Sequence, residues 1–277
     1  MTAPLGQLLS DSWSSFRRAL MPIVIGAVIF GLIMAVGQSF IGQRVVQKTG
    51  SALEGLGFDQ QQMQDLQQRI QAGDQAAMDE FTQQMQGLGG AQGEAMAGAA
   101  LSMYKDLLPV MGASMLIMWV ISLIASAYFL LIALDGKLTF QAALARTPGL
   151  IIPLFLLSLW IMIRSFIWIP IIGIITAIIL GPRFVCAPVL LARDHKGILE
   201  SASMSYAKTS GYWGKIFGNL FVAIVGVMIV FMVLGVVVGI LGTGASAIVM
   251  SMLNMLAAAF ITIFVVRLSS TILSNAR

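Results

Sequence analysis

The sequence predicts an all-α fold, a polytopic helical membrane bundle of about six transmembrane helices. Of the 277 residues, 58% are hydrophobic and 10% are charged, and this balance excludes an ordinary soluble domain. Long stretches carry no charged residue at all: 19–43, 107–134, 147–163, 165–182 and 216–266. The last stretch covers 51 residues, over twice the roughly 20 needed to cross a hydrocarbon core, so it must hold two spans.

The six expected spans lie near residues 20–41, 107–134, 149–165, 168–190, 215–241 and 246–268. Lysines and arginines near the span ends indicate the orientation, because loops rich in these residues stay in the cytoplasm. With the N-terminus inside, ten basic residues fall on the inner side and five on the outer side. We therefore expect a multi-pass protein of the bacterial inner membrane with both termini in the cytoplasm.

Three short amphipathic segments, 5–20, 136–147 and 197–211, each precede a pair of expected spans. In the first segment, apolar residues recur at helical spacing on one face while serines and charged residues occupy the other. A helix lying in the membrane interface requires this pattern. The chain can be interpreted as three similar units, each an interfacial helix followed by a hairpin of spans. The alternative is that a loop held beside a bilayer becomes amphipathic without any internal repeat.

Residues 42–106 separate the first two spans and are expected to form an extracytoplasmic, glutamine-rich helical insertion. The chain then divides into 1–41, with an interfacial helix and the first span, the insertion 42–106, and the remaining bundle 107–277. Apolar residues of the insertion fall three and four apart on two faces: Met63, Leu66 and Ile70, then Met78, Phe81 and Met85. Short helices are marginal alone, so these faces are candidates for contact with a protein partner or with a second copy of the chain.

Two arginines lie within or at the ends of expected spans. An ionisable group inside a span is costly and is by default a functional candidate. Arg164 lies at the outer end of the third span, from which its side chain can reach the headgroups. Arg183 follows Pro182 and lies deeper. It is expected to pair with backbone carbonyls freed by the proline, with the C-terminal end of another span, or with a lipid phosphate. Both are candidate contacts for lipid or for a partner.

Three motifs follow one another in the second half of the chain: PRFVCAPVLLA at 182–192, GILES at 197–201 and SYAKTSGYW at 205–213. LLSDSWSSFRR at 8–18 accompanies them. In these motifs the chain resembles the bacterial YciC-like proteins and the membrane domain attached to some glycerophosphodiester phosphodiesterases. The resemblance covers about the first 40 residues and residues 135–230, and it implies a six-span bundle with interfacial helices. The sequence holds no phosphodiesterase domain and adds the 42–106 insertion, so the resemblance implies architecture rather than activity.

Side chains with catalytic chemistry are sparse and scattered along the sequence. The single histidine, His195, follows Asp194, and adjacent residues do not face each other on a helix. One cysteine and dispersed carboxylates repeat no metal-ligand spacing, and no phosphate-binding or dinucleotide motif occurs. We therefore expect a protein that is not an enzyme and has no cofactor or metal, with membrane lipids as its contacts rather than nucleic acid.

Two functions fit these features. The first is a scaffold or assembly subunit that holds its partner through the outer insertion. The alternative is a transporter or channel for lipid-like or small solutes, because Pro153, Pro170 and Pro182 interrupt the third and fourth expected spans. Carboxylates are missing from the expected spans, so a proton or sodium relay has no obvious carrier. The scaffold is the preferred interpretation.

Overall fold

A computed structural model of the chain describes residues 4–55, 91–166, 178–240 and 243–275, together with Asp65, Arg69, Ala76, Met78 and Thr176. Helices account for nearly all of these residues, and no strand occurs among them. In chain order the helices are α1 (Leu5–Arg18), α2 (Leu20–Gly55), α3 (Ala91–Leu134), α4 (Phe140–Arg146), α5 (Pro148–Phe166), a 3-10 helix (Gly181–Phe184), α6 (Ala187–Arg193), α7 (Ile198–Lys208), α8 (Trp213–Gly239) and α9 (Thr243–Asn275).

Four of the helices contain stretches that are long and apolar enough to cross a membrane. They are Leu20–Arg44 in α2, Met111–Leu134 in α3, Trp213–Gly239 forming α8, and Ala245–Ser274 in α9. Helices α4 and α5 meet the same criteria together and would add a fifth span, although a bend of 56° separates them. Over the described residues, the prediction of an all-α, multi-pass membrane protein is therefore confirmed. The number of six spans stays a prediction.

The fourth expected span, 168–190, is not one continuous helix over its described part. The 3-10 helix begins at Gly181, and α6 begins only at Ala187. Pro182 and Pro188 explain the interruption, because each removes a backbone N–H and its ring clashes with the preceding helical turn. Proline is tolerated in the first turn of a helix, and both prolines stand there, one in the 3-10 helix and one in α6.

The chain forms two compact units, Met1–Ala35 with Trp119–Arg277, and Val36–Met118. The division of the sequence into 1–41, 42–106 and 107–277 stays a prediction. In the second unit, an apolar cleft is lined by side chains of α2 and α3, among them Phe40, Ile117 and Met118. The guanidinium of Arg44 lies 4.5 Å from the centre of the Phe40 ring. This stacking lets a charged group lie beside an apolar surface.

Each of the three amphipathic segments contains a helix, α1, α4 or α7, and all three belong to the first unit. Each of them buries part of its surface in the first unit. Leu8 of α1 and Ala202 of α7 share one core with Leu268 of α9, and each is at most 1% exposed. Ala143 of α4 is buried in a second core with Phe16 of α1. The amphipathic pattern thus corresponds to helices that cover the bundle with one face.

Small residues in α2 mark the face that meets the rest of the first unit. Ala27, Gly31 and Ala35, spaced four apart, are all buried. A Cβ atom on Gly31 would lie 2.6 Å from Cα and 2.8 Å from the backbone nitrogen of Met252 in α9. The two helix backbones are therefore in direct contact at this point, as small residues allow in membrane bundles. Tyr128 of α3 packs against the same helix and donates a hydrogen bond of 2.6 Å to the carbonyl of Pro22.

Candidate functional site

The 3-10 helix and the two residues that follow it interrupt the fourth expected span before α6, and we call residues 181–186 the break segment. A broken helix leaves carbonyl groups without their helical donors. In the interior of a membrane protein such groups need other partners, since no bulk water reaches them. The positions of those partners decide what the break can do chemically.

Helix α7 supplies most of the partners. Ser205 Oγ donates to the carbonyl of Arg183 at 2.8 Å and accepts the N–H of Cys186 at 3.1 Å. Thr209 Oγ1 lies 3.1 Å from the same carbonyl and 2.8 Å from the carbonyl of Ser205, so its single proton is shared between them. Both hydroxyl residues are fully buried. One face of α7 therefore makes hydrogen bonds to both a carbonyl and an N–H of the break segment.

Two further elements complete the arrangement. Ser269 Oγ of α9 lies 3.3 Å from the carbonyl of Val185 and donates to it. Trp213 Nε1, at the start of α8, donates at 2.9 Å to the carbonyl of Ile179, just before the break. Gly211, with a φ of 82°, allows the sharp turn that brings Trp213 back towards this carbonyl. Carbonyls within the break segment and just before it are thus held by side chains from α7, α8 and α9 and by Thr209 at the end of α7.

The Arg183 side chain is half-buried, and its guanidinium lies 4.6 Å from the centre of the Tyr206 ring. Stacking on an aromatic face is a favourable site for this cation and leaves its edge N–H groups able to donate. The carbonyl of Arg183, rather than its side chain, makes the hydrogen bonds within the break. The expected contact of the guanidinium with a lipid phosphate or a partner stays a prediction.

Arg164 is exposed near the end of α5, where its guanidinium lies 5.4 Å from the centre of the Trp160 ring. The Trp160 ring in turn meets Phe184 edge-on, with 5.5 Å between the ring centres. The ring centres of Phe184 and Tyr206 are 6.1 Å apart, so a row of aromatic rings connects the two arginines predicted as contacts. Arg164 therefore lies near the break segment, although its position in the sequence did not suggest this.

The expected contact face in the 42–106 insertion is described at one position. Met78 is helical and 55% exposed. The other five predicted contact residues lie outside the described residues: Met63, Leu66, Ile70, Phe81 and Met85. Their role in binding a partner stays a prediction.

Charged residues after α6 form two local pairs. Both carboxylate oxygens of Asp194 accept from Arg193, at 2.8 and 3.1 Å, and this hydrogen bonding raises the pKa of Arg193. Lys196 Nζ lies 2.6 Å from Glu200, which raises the pKa of Lys196 and lowers that of Glu200. The Asp194 carboxylate therefore pairs with Arg193.

An apolar cavity of about 540 Å³ lies between α1, α8 and α9. Trp13 and Phe16 of α1 and Phe260 of α9 form its aromatic wall. The lining residues are all apolar, so the cavity suits a hydrocarbon rather than a hydrated solute. This is the feature on which a lipid-like cargo would depend.

The chain matches no protein-family model, no curated protein and no solved structure. The resemblance to the YciC-like proteins therefore depends on the quoted motifs alone.

Sequence reasoning identified Arg183 but not the hydroxyl residues that hold its carbonyl. A signal was present, because Ser201, Ser205 and Thr209 recur every fourth residue and so share one face of α7. Hydroxyl residues on the buried face of an amphipathic helix indicate backbone partners on a neighbouring element. That neighbour, 19 to 26 residues away in the chain, could not be named from spacing.

Proposed function

We propose that this chain is a multi-pass protein of the bacterial inner membrane that is not an enzyme and acts as a scaffold or assembly subunit. The proposal depends on one observation: carbonyls in and just before the break segment already accept hydrogen bonds from side chains of the same chain. In transporters, unwound carbonyls of broken helices coordinate the ion or substrate. Here hydroxyls and an indole N–H of the same chain already bind the carbonyls of Ile179, Arg183 and Val185. Such a break supports a fixed architecture better than a binding site that must exchange its ligand.

The alternative function is a transporter or channel for lipid-like or small solutes. The apolar cavity between α1, α8 and α9 favours it, because a hydrocarbon chain fits such a lining. The presence of a broken helix in the same unit is also typical of transporters. The two functions differ in whether activity resides in one chain or in an assembly, and this difference can be measured.

The proposal includes the finer topology of six spans with both termini in the cytoplasm, and kinship with the YciC-like proteins. Ten basic residues fall on the expected inner side and five on the outer side, which supports this orientation. In intact cells, a cysteine replacing Gln75 should react with a membrane-impermeant maleimide, and one replacing Ser203 should react only after permeabilisation. Ser203 is exposed on α7, so accessibility within the fold does not limit its reaction. The reverse pattern would invert the topology.

The contact surface of the proposed scaffold is the 42–106 segment. We expect the triple variant Met63→Ser, Leu66→Ser and Ile70→Ser to remove the apolar side chains with which this segment binds a partner or a second copy. Complexes extracted in mild detergent should then shrink towards the mass of a single chain, 29.6 kDa, measured by native mass spectrometry. Membrane insertion should be unaffected, because the substitutions lie outside the spans.

A matched control comes from the same segment. Gln61→Ser, Gln64→Ser and Gln68→Ser have the same spacing, shifted by two residues and hence by about 200° around a helix. This control should leave the complexes at their wild-type mass. Complexes of unchanged mass in the apolar triple variant, or a wild-type protein that is already a single chain, would contradict the scaffold and favour the transporter.

A further inference from the structure

A second cavity, of about 360 Å³, lies where α1 and α3 end, and charged as well as apolar residues line it. Arg18, Lys137 and Arg267 contribute three cations to it, and Asp135 contributes the one carboxylate. Ser15 adds a hydroxyl, and Ile132 and Ile263 form apolar wall. We call this the basic cavity. It is separate from the break segment, and its residues come from α1, the end of α3, the turn after α3, and α9.

Arg267 gives the basic cavity its most informative atom. Its Nε is buried, and it has no hydrogen-bond partner among the described residues. An unpaired donor in a protein interior costs free energy, and a donor on a charged group costs more. Native proteins rarely leave such groups unpaired, so an isolated case requires a physical explanation. Arg267 lines the basic cavity, and a guanidinium there is suited to binding an anion.

The other charged groups of the basic cavity do not neutralise Arg267. Asp135 Oδ1 accepts the backbone N–H of Lys137 at 3.2 Å, so the carboxylate is held in its own turn. In the described chain no ion pair joins Asp135 to any of the three cations. Arg18 Nε donates to the carbonyl of Ser14 at 3.3 Å, which uses one of the five donors of its guanidinium. Positive charge therefore exceeds negative charge among the residues that line the basic cavity.

The basic cavity lies near the ends of two candidate spans. Arg267 precedes the end of the apolar stretch, Ser274, by seven residues, or about 10 Å of helix. Lys137 lies just beyond Leu134, where the α3 stretch ends. Basic pockets at this level between membrane helices bind phosphate-bearing headgroups, and apolar wall residues can meet the glycerol part. A phosphate offers acceptors to several cations at once, which a carboxylate does less well.

We propose that the basic cavity binds a phosphate group, with Arg267 as its central donor and Arg18 and Lys137 as flanking cations. The phosphate belongs to the headgroup of an anionic phospholipid or to a soluble phosphate compound, and both share the chemistry that the three cations recognise. The proposal does not depend on the scaffold function, since a transporter with the same fold would contain the same cavity.

The test uses the full chain purified in mild detergent, with phosphatidylglycerol, phosphatidylcholine and inorganic phosphate as separate probes. Native mass spectrometry should show retained phosphatidylglycerol, and Arg267→Gln should weaken this binding about tenfold or more, as expected for a lost charge-assisted hydrogen bond. Lys137→Gln should weaken it less, and because Lys137 is exposed in a turn this variant keeps the fold. Arg17→Gln is the matched control, since Arg17 is exposed beside Arg18 but does not line the cavity, and it should change binding less than about twofold.

Asp135→Asn provides a change of opposite sign. The amide oxygen can still accept the N–H of Lys137, while the negative charge is removed from the basic cavity. Binding should therefore become tighter, an effect that damage to the fold would not produce. If inorganic phosphate at millimolar concentration displaces the lipid and stabilises the wild type but not Arg267→Gln, the ligand is a soluble phosphate. If phosphatidylglycerol binding depends on Arg267 and inorganic phosphate neither displaces the lipid nor stabilises the protein, the ligand is the lipid. Equal retention of phosphatidylcholine, or binding unchanged in both Arg267→Gln and Asp135→Asn, would overturn the proposal.

Discussion

Replacing Gly31 by leucine should lower the melting temperature of the detergent-solubilised protein by roughly 10 °C, corresponding to about 3 kcal/mol. The reason is the contact between α2 and α9, where a new Cβ would lie 2.6 Å from the Cα of Met252. The obstructing atoms belong to a helix backbone, so no side-chain rotation can relieve the clash. The two helices must separate and lose the packing that holds membrane helices together.

Gly42 of the same helix provides the control. A Cβ atom there would meet no other atom within 4 Å, and leucine favours helix more strongly than glycine does. Gly42→Leu should therefore leave the melting temperature unchanged or raise it slightly. Melting can be followed by the loss of circular dichroism or by the onset of aggregation. Equal melting temperatures for the two variants would show that α2 and α9 are not in backbone contact at Gly31.

Replacing Ser205 by alanine should destabilise the protein by about 2 kcal/mol, because the substitution removes partners from a buried carbonyl and a buried N–H at once. Thr209 can still serve the carbonyl of Arg183, but the N–H of Cys186 loses the acceptor 3.1 Å away. The substitution should favour local opening of the break segment more than unfolding of the whole protein. Cys186 can report it, since its side chain is fully buried and it is the single cysteine of the chain.

The measurement is the rate at which a thiol reagent labels Cys186 under native conditions. Ser205→Ala should raise this rate about tenfold or more, because a lost partner lowers the free energy of local opening. Ser203→Ala on the same helix is the control. Ser203 is exposed and bonds only within α7, to the carbonyl of Glu200 at 3.0 Å, so its loss should not affect labelling. A labelling rate in Ser205→Ala equal to that of Ser203→Ala would mean that the hydroxyl does not hold the break.

The spans could be predicted because a bilayer imposes a length on any uncharged stretch that crosses it. Leu20, where α2 begins, and Leu134, where α3 ends, agree with the expected limits. The other ends of these helices do not, because α2 continues to Gly55 and α3 already begins at Ala91. Hydropathy reports where lipid begins, whereas a helix ends where its backbone hydrogen bonding ends. The limits of the apolar stretches can therefore be predicted from composition, whereas the helix ends depend on local chemistry.

The sites were less predictable than the spans. Arg183 could be identified because a charge in an apolar run is unusual, and Pro182 indicated a break beside it. The hydroxyls that bind the break, and the approach of Arg18, Lys137 and Arg267 to one cavity, follow from packing between segments distant in sequence. Arg267 shares no local sequence pattern with Arg18 or Lys137, so only the fold shows that the three belong together.

Helix α8 depends on its surroundings in a different way from the other candidate spans. In its most apolar stretch only 11% of the residues are buried within the chain, compared with 28 to 39% in the other three. Its free energy of insertion therefore comes from lipid rather than from neighbouring helices. During biosynthesis such a helix can leave the translocon and enter the bilayer before its neighbours have assembled. Helix α9, which follows it in the chain and packs against α1, α2 and the break, then completes the bundle around an anchor that is already in place.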